Sequence, residues 1–134
     1  MIVVDTNLVA YLFMGGSKTT LAENVLRNDP EWCAPLLWRS EFRNILTMYM
    51  RRGYLTHKSA LQLMDEAESL LAGAEYLVES SAVLNLVALS QCSAYDCEFV
   101  ALAQQLGVML VTSDRQILSQ FPSSTVSLNH FAGS

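Results

Sequence analysis

Short apolar runs that stop against a carboxylate constrain this chain more than any other feature. Ile2-Val3-Val4 ends at Asp5, and the run over residues 108–111 leads through Thr112 and Ser113 to Asp114. Short β-branched runs bounded by turn signals read as buried strands. The spacing predicts strands over residues 1–4, 32–34, 76–78, 108–111 and 125–128. It predicts helices over 8–13, 19–28, 35–52, 56–71, 80–92, 94–106 and 115–120. Pro35 is placed to open a helix, Ser93 to cap one, and Gly53 and Gly107 to close two others. Strands alternating with helices imply an α/β fold with a central, mostly parallel sheet and helices on both faces. Ligands of such sheets bind at the carboxyl ends of the strands, which directs attention to Asp5 and Asp114.

The length of 134 residues suits a single domain over 1–134, and no repeat or linker divides it. With 51% hydrophobic and 16% charged residues, the chain is too apolar for a disordered segment. The apolar N-terminus lacks a basic region and Asp5 interrupts it, so neither an export signal nor a membrane span is expected. Cys33, Cys92 and Cys97 form no C-x-x-C pair and read as free thiols of a reducing cytoplasm. His57 and His130 have no partner at zinc-ligand spacing. The net charge of −5 argues against nucleic-acid binding by bulk charge.

Two further acids stand in apolar company. Glu41 has Leu37, Trp38, Ile45 and Met48 at helical spacing, so it falls on the stripe expected to face the core. Asp96 has Phe99, Val100 and Ala103 at the same kind of spacing. Acids are seldom buried unless they are paired or bind a metal. Each also has a plain structural alternative. Asp5 and Asp114 suit helix N-caps, Asp96 completes a capping-box spacing with Ser93, and Glu41 suits a salt bridge to an arginine. If all four converge, repulsion dominates: two like charges ~4 Å apart cost about 4 kcal/mol at an effective dielectric near 20. Either protons or a cation must then relieve it. Oxygen-only ligands favour hard cations, Mg²⁺ or Mn²⁺, which can bind phosphate and activate water. Setting these four acids aside leaves a net charge of −1, so the acidic balance reads largely as the mark of a metal site.

Asp5-Thr6-Asn7 after the first strand, Ser40-Glu41 on a helix, Tyr95-Asp96 opening a helix with Ala101 and Ala103, and the segment from Gly107 to Asp114 together resemble the PIN domain. The resemblance covers essentially the whole chain, and its length is similar to that of the VapC-like toxins of toxin–antitoxin pairs. It implies a Mg²⁺- or Mn²⁺-dependent ribonuclease with one or two ions. By the motif match, Asp5, Glu41, Asp96 and Asp114 would form the acidic quartet, with Asn7 and Thr112 supporting it by hydrogen bonds. It also implies a homodimer held inactive by a cognate antitoxin whose tail covers the cleft. One departure is that Arg115 and Gln116 stand where many relatives carry a further acid; Glu98 is a spare acid nearby and not a ligand.

The chemistry expected is hydrolysis of an RNA phosphodiester. Asp5, Asp96 and Asp114 would hold metal, and Glu41 would ligate it or position water. Arg39 and Arg43, flanking Glu41, are candidates for a phosphate-contacting rim. No Ser–His–Asp or Cys–His set is apparent to support covalent catalysis. Two other readings compete. A phospho-aspartate receiver or phosphatase needs a late lysine, and none follows Lys58. A non-catalytic PIN-like interaction module could use Trp32, Trp38 and Tyr49 on a partner surface.

Overall fold

The structure, a computed structural model, describes residues 1–133. Five strands form one parallel sheet: β1 (Ile2–Val4), β2 (Trp32–Pro35), β3 (Glu75–Tyr76), β4 (Leu110–Thr112) and β5 (Thr125–Ser127), in the order β3-β2-β1-β4-β5. Every residue of β1, β2 and β4 is buried, as expected for parallel strands covered on both faces. The register sets Val3 opposite both Cys33 and Leu110, and Val4 opposite Val111. Asp5 and Asp114 therefore leave adjacent strands on the same edge of the sheet.

The eight described helices are α1 (Thr6–Met14), α2 (Thr19–Asn28), α3 (Leu37–Arg51), α4 (His57–Leu70), α5 (Ser80–Ala88), α6 (Ala94–Leu106), α7 (Arg115–Gln120) and α8 (Leu128–Phe131). Helix α6 lies against β1, β2 and β4, with α5 packed on it. Helix α1 gathers α2, α3 and α4, while α8 packs on α2, β4 and β5. The core joins the strand residues to Leu8, Val9, Trp38, Phe42, Val100 and Leu102, none more than 1% exposed. Trp38 and Phe42 stack at 6.0 Å in a tilted pair, an arrangement worth about 0.5–1.5 kcal/mol beyond area burial.

The expected elements are all present, with several corrected limits. Pro35 does not open α3 but closes β2, opposite Tyr76. The next amide, of Leu36, donates to the Tyr76 carbonyl and delays the helix to Leu37. Helix α5 stops at Ala88 rather than at Cys92. The Ser90 hydroxyl donates to the Leu86 carbonyl and accepts from the Cys92 amide, offering the backbone an alternative to another helical turn. The third strand is Glu75–Tyr76 and the fourth Leu110–Thr112, so Thr112 belongs to the sheet itself. Leu128 begins α8 and does not extend β5. Trp32 and Trp38, weighed as a partner surface, are 2% and 0% exposed and belong to the core. All three cysteines are buried free thiols. No helix among the described residues is long and apolar enough to cross a membrane.

Candidate active site

Four acids line one cleft of about 280 Å³ at the carboxyl edge of the sheet: Asp5, Glu41, Asp96 and Asp114. Each comes from a different element. Asp5 follows β1 and caps α1, its Oδ1 accepting the Leu8 amide at 2.9 Å. Asp114 follows β4 and caps α7 in the same way, accepting the Ile117 amide at 2.9 Å. Asp96 lies in the first turn of α6, where its own amide donates to Ser93 Oγ. Glu41 projects from the second turn of α3. The capping readings of Asp5 and Asp114 are thus correct, and they coexist with a place in the cleft. The cap engages one carboxylate oxygen of each.

Two threonine hydroxyls hold the acids. Thr112 Oγ1 donates to Asp5 Oδ2 at 2.6 Å and accepts the Asp114 amide at 3.1 Å, tying the two strand-end acids together. Thr6 Oγ1 donates to Glu41 Oε1 at 2.6 Å, so Glu41 is held by a hydroxyl and not by the arginine that its apolar stripe suggested. Thr6 is 5% exposed and was not singled out in the sequence. Its signal was available, since a buried hydroxyl next to the first acid needs a polar partner. Asn44, one turn beyond Glu41, also lines the cleft, as does Asn7. Among the described residues the Asn7 side chain makes no hydrogen bond to the acids. Phe99, Ile45 and Ile117 supply the apolar part of the lining. Met48, expected on the buried stripe of α3, is instead 42% exposed.

The electrostatics follow from this placement. Burial lifts the Asp5 carboxyl from its ordinary 3.8 to about 6, opposed by the Thr112 and Leu8 hydrogen bonds and assisted by the charges of Asp114 and Glu41. Burial also raises Glu41, with the Thr6 hydroxyl opposing and Asp96 adding to the rise. Glu98 is raised by burial and by Glu41, although it does not line the cleft. The acids therefore feel one another, as convergence requires.

Arg39 and Arg43 are not brought to this cleft. Each is two residues from Glu41, and side chains two apart on a helix do not share a face. Arg39 donates through Nη2 to Glu75 Oε1 at 2.6 Å, through Nε to Glu75 Oε2, and pairs through Nη1 with Glu68 at 2.6 Å. Its fork is spent on structure, with Trp38 Nε1 joining the same Glu75 carboxylate at 2.7 Å.

The donor set, carboxylates with hydroxyl and amide neighbours, suits a hard divalent cation. Mutual repulsion among the acids supplies the reason to bind one. As the side chains stand, no group of three His, Cys, Asp or Glu among the described residues is set to hold an ion.

Comparison with known proteins agrees with this architecture. The chain is 27% identical over 125 residues to Ribonuclease VapC3 of Pyrobaculum aerophilum, covering 91% of this chain and 95% of that one. The crystal structure of PAE2754 from the same organism shares the fold with a TM-score of 0.77 at 17% identity, over 98% of this chain and 92% of the other. A toxin–antitoxin complex from Klebsiella pneumoniae contains a chain of the same fold, with a TM-score of 0.72 at 17% identity over 96% and 98%. The PIN domain model matches residues 2–122, a span that runs from β1 past α7 and includes every acid of the cleft. With its parallel sheet in the order β3-β2-β1-β4-β5 and its acids gathered at the strand ends, the chain belongs to the PIN domain family.

Proposed function

We propose that this chain is an endoribonuclease that hydrolyses RNA phosphodiester bonds with Mg²⁺ or Mn²⁺, and that it is the toxin of a toxin–antitoxin pair. The observation that carries the reading is the gathering of Asp5, Glu41, Asp96 and Asp114 in one cleft from four separate elements. The likeness to Ribonuclease VapC3 along nearly the whole of both chains supports the ribonuclease part. The fold shared with a chain of a toxin–antitoxin complex supports the toxin part and a cognate antitoxin. A homodimer belongs to the same reading, and exposed Leu77, Leu84 and Leu89 offer apolar surface for it. So does a cytoplasmic setting, which suits three free thiols.

In this reading Asp5, Asp96 and Asp114 hold one or two ions, with Glu41 as a further ligand or as the group that orients the attacking water. When bound, such an ion polarises the phosphate and makes water more acidic. The chain's own residues do the rest. Thr112 keeps Asp5 aimed and lowers its proton affinity, so Asp5 is mostly ionised at neutral pH despite its burial. Thr6 fixes Glu41 through Oε1. Burial favours the protonated form of Glu41, which equips it to accept a proton from water. Phe99 and Ile117 limit bulk water at the inner wall.

The test is cleavage of RNA by the purified chain with Mg²⁺ or Mn²⁺, against a chelator control and the Asp5→Asn variant. Cleavage lost in both controls supports the proposal. Equal cleavage by Asp5→Asn would sink it. A second reading is a non-catalytic PIN-like interaction module. A folded chain with no metal-dependent cleavage would favour it. The phospho-aspartate reading loses ground because no lysine lines the acidic cleft.

A further inference from the structure

A second cleft, of about 320 Å³, adjoins the acidic one and has the opposite charge. Lys18, Ser113, Arg115 and Ser127 line it together with Leu118, and no acid does. The two clefts meet across three consecutive residues: Asp114 faces the acidic cleft, while Ser113 and Arg115 face the cationic one. Consecutive Cα atoms are ~3.8 Å apart, so the two clefts lie side by side.

The two cations are not neutralised. Among the described residues the Arg115 side chain has no ion pair or hydrogen bond. The Lys18 ammonium lies 4.9 Å from the centroid of the Tyr11 ring and 3.5 Å from its hydroxyl, so a neutral partner orients it and leaves its charge in place. Arg39, by contrast, is fully engaged by Glu68 and Glu75. A polyanion entering a cleft of four acids needs positive charge close by, and the rim anticipated at Arg39 and Arg43 is turned away from that cleft. Arg115 presents a planar fork suited to phosphate oxygens.

We infer that Lys18 and Arg115 form a phosphate-binding subsite that holds the RNA backbone one step from the phosphodiester in the acidic cleft. This rests on the ribonuclease reading proposed above. Lys18 supplies a point charge and Arg115 a planar fork, so the subsite grips the backbone irrespective of base. Its role is in binding and positioning, and the acids retain the chemistry.

Steady-state cleavage of a short single-stranded RNA, measured across a salt series, tests this with Lys18→Ala/Arg115→Ala, the single Arg115→Gln and Arg43→Ala. The double variant is expected to raise KM several-fold with kcat little changed. Its KM should also depend less steeply on salt, with a log–log slope shallower by about 1.4, or about 0.7 per lost phosphate contact. Arg115→Gln should show about half the change in slope, and Arg43→Ala none. A polyglutamate competitor is the second arm. Wild-type cleavage with unaltered KM and salt slope in both the double variant and Arg115→Gln overturns the subsite and leaves the ribonuclease standing. Loss of polyglutamate inhibition in the double variant with RNA KM unchanged overturns it in favour of an acidic protein ligand. Absence of cleavage by the wild type defeats the ribonuclease reading and this inference with it.

Discussion

The hydroxyl of Thr112 donates a 2.6 Å hydrogen bond to Asp5 Oδ2 across 107 positions of sequence. It joins the end of β4 to the first residue after β1, and it opposes the burial that lifts the Asp5 carboxyl to about 6. Removing it should therefore push that carboxyl higher still. Thr112→Val is expected to shift the acid limb of the pH–rate profile for RNA cleavage to higher pH and to lower activity at pH 7 by roughly tenfold. Thr112→Ser, which keeps the hydroxyl, should restore the profile. A Val variant with an unmoved acid limb would refute the role.

Asp5 should destabilise the fold it serves. Its folded value lies above its ordinary 3.8, so between about pH 4 and 6 the native state binds more protons than the unfolded one. Stability then falls as pH rises through that window and levels off above it. The full shift corresponds to on the order of 2–3 kcal/mol. Asp5→Asn keeps an oxygen for the Leu8 amide and removes the buried charge. It should melt higher than wild type at pH 8, with the gap closing near pH 4. Thermal unfolding of both proteins at the two pH values checks the sign.

Glu75 is a structural anchor that does not line the acidic cleft. It accepts from Trp38 Nε1 and from Arg39, and the Arg39 guanidinium holds its carboxyl below the ordinary value. Glu75→Ala leaves the buried indole N–H without its partner and should cost about 1–3 kcal/mol in chemical denaturation. Folded Glu75→Ala and Arg39→Ala proteins should cleave RNA at close to the wild-type rate.

Metal should stabilise the chain through the acidic cleft. An ion that binds only the folded state raises its stability by about 2.7 kcal/mol at a concentration of roughly 100 times its Kd. Mn²⁺ or Mg²⁺ is expected to raise the melting temperature of wild type reversibly, with a chelator undoing the rise. The rise should be largely absent in Asp96→Asn/Asp114→Asn. An equal rise in that variant would place the ion elsewhere.

The sequence was most legible where period and punctuation agreed. Helix α2 over Thr19–Asn28 and helix α7 over Arg115–Gln120 have the limits that spacing predicted. The four acids were visible because each broke a local rule, as a charge at a strand end or on an apolar stripe. Pro35 misled because a proline that starts a helix and one that ends a strand look alike until β3 is known to pair there. The role of Thr6 is hidden in the sequence because its partner, Glu41, lies 35 residues away. Arg39 is illegible for a related reason. Proximity to Glu41 in sequence hid a rotation of more than half a turn around α3, and its true partners sit on α4 and β3.

The sheet order has a consequence for synthesis. Strand β1 is made before the other strands of the sheet and ends in the centre, between β2 and β4. Its neighbour β4, with Thr112, follows Asp5 by 107 positions of sequence. Until then Asp5 has neither the hydroxyl that aims it nor the acid that faces it. A ribosome producing this protein thus carries a nascent chain whose cleft stays incomplete until β4 has been made. The cleft can form only once the segment that joins its two halves has left the exit tunnel.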